Sequence, residues 1–363
     1  MPVSAQEPVI EPPTYFLGRV DTELERSVIS ELDQLFTQRI LIKRDDTGEL
    51  VEVSVGSQFQ PLNRQQLIPE GRQLVLAEQT LSTGESEVVV ADVFRLPTVL
   101  TLFVIFIVVV VVIGGKQGFF AFLGMALSIL ILLQFVVPQI LSGANPIFIS
   151  LVGALVIGAV TIYVAHGVNL KSHVALLSTV LVLALVVVLS YAAVTSAQLV
   201  GLGSEEAYFL QFGPHAVINL QGLLLGGILL GALGVLDDVT VSQVSIVFQL
   251  RAVKQKISKK ELYARSLAVG KDHVASLVNT LVLAYAGANM PLFLLFVLNE
   301  QTPDWVTLNS DIIVEEVVRT LAGSIGLVLA VPVATALATW VALRKSSKEM
   351  EALTHVGHAH NHA

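Results

Sequence analysis

From residue 14 to residue 94 apolar and polar positions alternate in short runs; from residue 97 onward long, nearly uninterrupted apolar stretches take over. Period-two runs predict strands at Tyr15–Val20, Gln38–Lys43, Leu50–Val55, Gln73–Glu78 and Glu87–Phe94. Asp46-Thr47-Gly48 supplies a hairpin turn between the second and third. Residues 21–36 lack that alternation and leave room for a short helix. The sum over residues 1–96 is a small β-barrel-like domain of about five strands, with disordered first residues.

A helix needs about 20 apolar residues to cross a bilayer. Stretches of that kind follow one another near 97–114, 118–141, 146–165, 173–196, 217–236, 274–298 and 315–343. The expected fold is therefore an α-helical polytopic membrane protein of about seven transmembrane helices behind the β-domain. Residues 344–363 form a tail. Composition agrees: 54% of the 363 residues are hydrophobic, 14% are charged, and the mean hydropathy is +0.75. The chain has no cysteine, which excludes disulfides and thiolate metal ligands. A net charge of −8 spread over the polar segments points away from nucleic acid.

Positive residues between spans mark the cytoplasmic side. Loop 251–272 carries Arg251, Lys254, Lys256, Lys259, Lys260, Arg265 and Lys271, and the tail carries Arg344, Lys345 and Lys348. Loops 197–216 and 299–314 hold Glu205, Glu206, Glu300, Asp304 and Asp311 but no Lys or Arg. These assignments put the C-terminus in the cytoplasm and the β-domain outside, across a plasma (inner) membrane. Residues 1–14 contain four prolines and no apolar core of signal length. Either the first span translocates a long N-terminal tail or a hydrophobic segment lies upstream of this start site; the second is favoured and would give eight spans with both ends inside.

The chemistry concentrates at Asp237 and Asp238, directly after the glycine-studded run Gly222–Leu236. Carboxylates beside an apolar span are tolerated where they face a water-filled cavity, pair with a cation or handle one. Asp238, Ser242, Ser245 and Gln249 share one helical face. Two readings stay open. In one, an aspartate binds a cation or relays a proton; in the other, both are solvated at the cytoplasmic interface, where the helix continues along the surface. Gly222/Gly226 and Gly227/Gly231 have the small-xxx-small spacing of close helix packing.

Asn279 and Thr280 lie in the sixth span, which is interrupted by Gly287, Asn289 and Pro291; Pro332 interrupts the seventh. Such breaks either free backbone groups to line a transport site or are ordinary kinks. Glu316 and Arg319 are three residues apart and can form an ion pair on one helix face. His355, His358, His360 and His362 could give weak Zn²⁺ or Ni²⁺ binding in the tail; otherwise no cofactor is expected. No His-Glu-x-x-His helix, Gly-x-Ser-x-Gly elbow or P-loop occurs, so the chain is not expected to be an enzyme. The Gly-x-Gly-Asp stretch of an intramembrane aspartyl protease is also missing: Asp237 follows Gly234-Val235-Leu236.

The stretch Gly231–Gln243, reading GALGVLDDVTVSQ, resembles the YibE/F family of bacterial multi-pass membrane proteins. Three further regions look similar: Val55–Phe59 with Pro69–Val75, Gly270–Leu292 with its Val-Asn-Thr-Leu run, and Glu315–Val333. The resemblance implies a permease, and members usually carry a hydrophobic segment before the β-domain. The expected function is secondary transport of a small solute or ion. Asp237 and Asp238 would carry charge, and Ser242, Gln243, Asn279, Thr280 and Asn289 would line the path. The rival is a sensor or assembly scaffold whose external β-domain binds an envelope partner. Lipid and the transported solute are the expected partners, and a homo-oligomer is left open.

Overall fold

The computed structural model describes residues 12–30, 34–80, 86–212, 218–298 and 302–345. The chain divides into two compact units, one reaching to Val108 and one starting at Val109. The four histidines of the tail and the first residues fall outside the described residues.

In the first unit, β1 (Thr14–Ser30), β2 (Leu35–Arg44), β3 (Leu50–Val55), β4 (Leu62–Asn63), β5 (Gln73–Thr80) and β6 (Ser86–Val93) form one antiparallel sheet in the order β3-β2-β1-β5-β6; β4 pairs with β2. The sheet is a half-barrel. Its core is Phe16, Val20, Ile40, Ile42, Val53, Leu74 and Leu76, the inward positions of the alternating runs, with Ile68 from the loop before β5. Gly18 lets the strands close: a Cβ there would come within 2.7 Å of Ile42 and 2.9 Å of Leu76. Buried Gln38 completes the core. Its amide donates to the Ile68 carbonyl at 2.8 Å and accepts from the Ile68 N–H at 2.9 Å, as a neighbouring strand would. Arg44 lies over the Phe16 ring at 3.6 Å and pairs with Asp46 and Glu78.

Where the sequence left room for a short helix, the described residues 21–30 and 35–36 are strand. Residues 21–30 extend β1 and pair with β2 as far as Ser30 opposite Leu35. Register shifts between Val20 and Thr22, Glu23 and Glu25, and Val28 and Ser30 explain the lost alternation, because each bulge moves the next side chain to the other face.

The second unit is helical: α1 (Leu96–Ile131, begun in the first unit), a π-helical turn (Leu132–Val136), α2 (Val137–Leu141), α3 (Pro146–His166), α4 (Leu170–Ser196), α5 (Glu205–Phe212), α6 (Leu220–Val253), α7 (Lys259–Ala288), α8 (Met290–Leu298), α9 (Asp304–Leu308) and α10 (Asp311–Ala342). Five of these helical runs are long and apolar enough to cross a membrane: Leu96–Leu141, α3, α4, α6 and α10. A sixth candidate is α7 with α8, bent by 73°. Leu96–Leu141 has 46 residues, about 70 Å of helix against a hydrocarbon core of about 30 Å. It breaks at Gly115 (φ 55°, ψ −136°), and the turn is so tight that a Cβ on Gly118 would overlap the Val110 carbonyl.

Asparagine and serine caps start the helices. Asn145 accepts from Ile147 and Phe148, Asn169 from Ser172, Asn219 from Gly222 and Ser258 from Glu261. The centre is α6, packed against α3, α4 and α10. Gly222 and Gly226 face Pro146 and Ser150 of α3, whereas Gly227 has nothing near its Cβ position. Gly326 of α10 sits against Val186 of α4 in the same close manner.

Candidate functional site

Asp237 stands in the middle of α6, about 25 Å of helix from either end. The helix neither ends nor turns at the aspartate pair. On α3 the same level is Thr161, only five residues from the end at His166, so the site lies toward the end of the bundle where α3 finishes. The second arm of α1, α3 and α6 enclose a cavity of about 400 Å³ there. Its wall is mostly apolar, with Ser128, Thr161, His166, Asp237 and Asp238 as the polar exceptions.

The Thr161 hydroxyl donates to Asp237 Oδ2 at 2.6 Å and lies 3.0 Å from the Ile157 carbonyl. Asp237 Oδ1 is buried and has no hydrogen-bond partner among the described residues. Gly158 faces it, and a Cβ there would lie in ordinary contact with Oδ1 at 3.5 Å. Thr179 of α4, whose hydroxyl bonds Thr240 at 2.8 Å, also acts on the Asp237 carboxyl. Asp238 is exposed on the cavity wall, and its charge reaches His166.

This geometry can hold a proton in two ways. With Asp237 ionised, Thr161 donates to it. With Asp237 protonated, its O–H can donate to Thr161, whose own hydrogen then turns to the Ile157 carbonyl. Neither state requires the helices to move. Among the described residues no group of three or more His, Cys, Asp or Glu is arranged to hold a metal ion.

The other candidate residues are distributed differently. Gln243 is buried, not cavity-facing: its amide donates to the Ser266 carbonyl of α7 at 2.9 Å and to Thr335 of α10 at 2.7 Å, bracing three helices. Gly270 leaves room for it, because a Cβ there would lie 2.7 Å from Gln243 Oε1. Ser242 is half-buried beyond the aspartates, and Asn279 and Thr280 are exposed on α7. Gly287 stays helical, the bend between α7 and α8 falls at Asn289, and Pro291 is the second residue of α8. Pro332 is inside α10, which continues past it.

Asn289 belongs to a second polar group. Its amide donates to Glu316 at 2.9 Å, and Glu316 accepts from Arg319 at 3.1 Å, the ion pair expected from their spacing. Asn289 and Glu316 border a cavity of about 330 Å³ lined mostly by apolar residues such as Leu292, Phe293 and Val317, with Tyr285 and Thr320.

Sequence reasoning passed over Ser128, Thr161, His166 and Glu315. A threonine in an apolar helix is a weak signal by itself, because its hydroxyl can bond its own helix backbone.

No curated protein and no solved structure matches the chain. A family model described as YibE/F-like protein matches residues 102–344. That stretch holds every residue of both polar groups, and the half-barrel lies before it. The chain belongs to the YibE/F-like family of proteins.

Proposed function

We propose that this protein is a secondary transporter of a small solute or ion, with Asp237 as the group that loads and releases charge. One observation carries the reading: a carboxylate mid-way along a central apolar helix lines a cavity with one oxygen free of any partner among the described residues. A purely structural aspartate would be expected to have both oxygens satisfied, since a buried acceptor left unpaired costs about 1–3 kcal/mol. Loss of charge on protonation would let the cavity exchange between sides of the membrane. Asp238 and His166 would set the field at its mouth, with no cofactor taking part.

The finer topology belongs to the same proposal. Division at Gly115 makes two spans of Leu96–Leu141, and the α7–α8 pair with α3, α4, α6 and α10 completes seven. The positive loop between α6 and α7 faces the cytoplasm of a bacterial cell, and the half-barrel faces outward. The cavity then opens near the cytoplasmic end.

Purified protein in liposomes tests the reading by uptake and efflux of metal cations and small anions under a proton gradient. Flux in wild type that disappears in Asp237→Asn/Asp238→Asn supports it. Inserted, folded wild-type protein without flux for any solute sinks it and favours the scaffold. For that second reading the specific observation is the exposed apolar surface of the half-barrel: Leu24, Val28 and Ile29 along β1, and Phe59 at 95% exposure.

A further inference from the structure

Glu315 is the second carboxylate enclosed by the bundle, and nothing above uses it. It lies in the second turn of α10 and is 4% exposed. The segment Leu199–Gly203 closes over it. Leu199 and Gly201 are buried, Gly201 adopts a left-handed φ of 84°, and its Cα abuts the Leu220 carbonyl at the start of α6. Gln221 holds the segment by donating to the Leu199 carbonyl at 2.8 Å. Gly203 is so close that a Cβ would come within 2.5 Å of Glu315 Oε2, and the backbone N–H groups of Gly201 and Gly203 are directed at the carboxyl. Thus Glu315 stands where α6 and α10 begin, at the opposite end of the bundle from the cavity of Asp237.

Two buried atoms near Glu315 have no partner among the described residues: its own Oε1 and Nε of Arg319. They are four residues apart on α10, one helical face, and an ionised carboxylate there would meet a guanidinium N–H. Instead Arg319 uses Nη1 on Glu316, which is tied to Asn289 at the α7–α8 bend. A carboxyl that holds a proton carries no charge and leaves Arg319 to Glu316; a carboxyl that has lost it competes for Arg319. The other charge acting on Glu315 is Asp311, one turn earlier; the closing segment supplies only backbone N–H groups.

We propose that Glu315 is a proton-binding site separate from Asp237, and that its protonation decides whether Arg319 is held by Glu316 or by Glu315. The step is a simple exchange. Loss of the proton from Oε1 to water leaves a carboxylate, and Arg319 Nε donates to it as Nη1 leaves Glu316. Asn289 then loses its charged partner's neighbour, so the α7–α8 bend and the closing segment respond to the same proton. The proposal does not rest on the transport reading.

Infrared titration of the full chain in lipid vesicles tests it, with glutamate carrying a ¹³C-labelled side-chain carboxyl and aspartate unlabelled. The expected result is a band of a dehydrated, protonated carboxyl that appears and disappears reversibly with pH. It shifts with the glutamate label, survives Asp237→Asn and is lost in Glu315→Gln. A band that ignores the label, or persists unchanged in folded Glu315→Gln, overturns the proposal. Arg319→Gln and Gly203→Ala keep the carboxyl and serve if Glu315→Gln does not fold. Arg319→Gln should move the midpoint by roughly one pH unit or more, and Gly203→Ala should change the band frequency. A midpoint and frequency unmoved in both overturn it equally. Flux lost in Asp237→Asn with the labelled band intact would leave both readings standing, each on its own measurement.

Discussion

The half-barrel and the helical bundle treat buried polar groups in opposite ways. In the half-barrel Gln38 is buried with both ends of its amide used, and Arg44 is spent on Asp46, Glu78 and the Phe16 ring. In the bundle, buried polar atoms of Ser190, Asp237, Arg251, Ser266, Glu315, Arg319, Ser324 and Thr339 lack partners, and among the described residues no half-barrel atom joins them. A closed account maximises stability. An open one leaves acceptors and donors for something that arrives, whether proton, water or solute. On the transport reading the bundle is the working part and the half-barrel a stable attachment.

The largest expected effect lies in the bundle. Asp237→Asn should bring gradient-driven flux down to that of protein-free liposomes while insertion and thermal stability stay near wild type; unfolding of this variant would instead make the aspartate structural. Thr161→Val should lower flux about tenfold or more, the worth of roughly one lost hydrogen bond. Thr161→Ser should restore it, because only the hydroxyl matters; equal flux in all three would break the Asp237–Thr161 link.

Changes in the half-barrel should act on stability alone. Gln38→Ala strands the Ile68 N–H and carbonyl, at about 1–3 kcal/mol for each group. Its unfolding midpoint should fall measurably in a calorimetric scan, and flux per folded molecule should not change. Gly18→Ala presses a methyl group into Ile42 and Leu76 and should cost about 1–3 kcal/mol by overpacking. A loss of flux with either variant, at equal folded protein, would break the division between the two regions.

The smallest effect is electrostatic. Hydrogen bonding from Arg44 holds the Asp46 carboxyl down at about 2, below its ordinary 3.8. A depressed folded value means that the pair stabilises the fold above about pH 4 and that this support fades as pH falls from 4 toward 2. Asp46→Asn should abolish that portion of the acid sensitivity and leave the neutral-pH midpoint almost unchanged, since exposed ion pairs contribute little. Identical acid profiles would show the pair to be inert.

Much of the site was open to reading along the chain, and the rest for definite reasons was not. Asp237 and Asp238 stood out because charge after an apolar run is rare. Asn289, Glu316 and Arg319 were singled out separately, the first by a break and the others by spacing, yet they form one hydrogen-bonded group. Gln243 looked like a path residue because polarity inside a helix signals either solvent or a buried bond, and periodicity cannot distinguish them. The sheet extension of β1 was missed because bulges erase the alternation on which strand reading depends.

Sequence alone determined the class and order of the elements. Bilayer thickness imposes a length on apolar runs, and side-chain alternation imposes a period on strands, so both are local properties. Tertiary structure alone decided that Thr161 meets Asp237 and that a glycine segment 112 residues upstream of Glu315 closes over that carboxylate. Those facts depend on which faces of distant helices meet. Such a meeting is set by the shapes of many small residues at once, and no single stretch of chain encodes it.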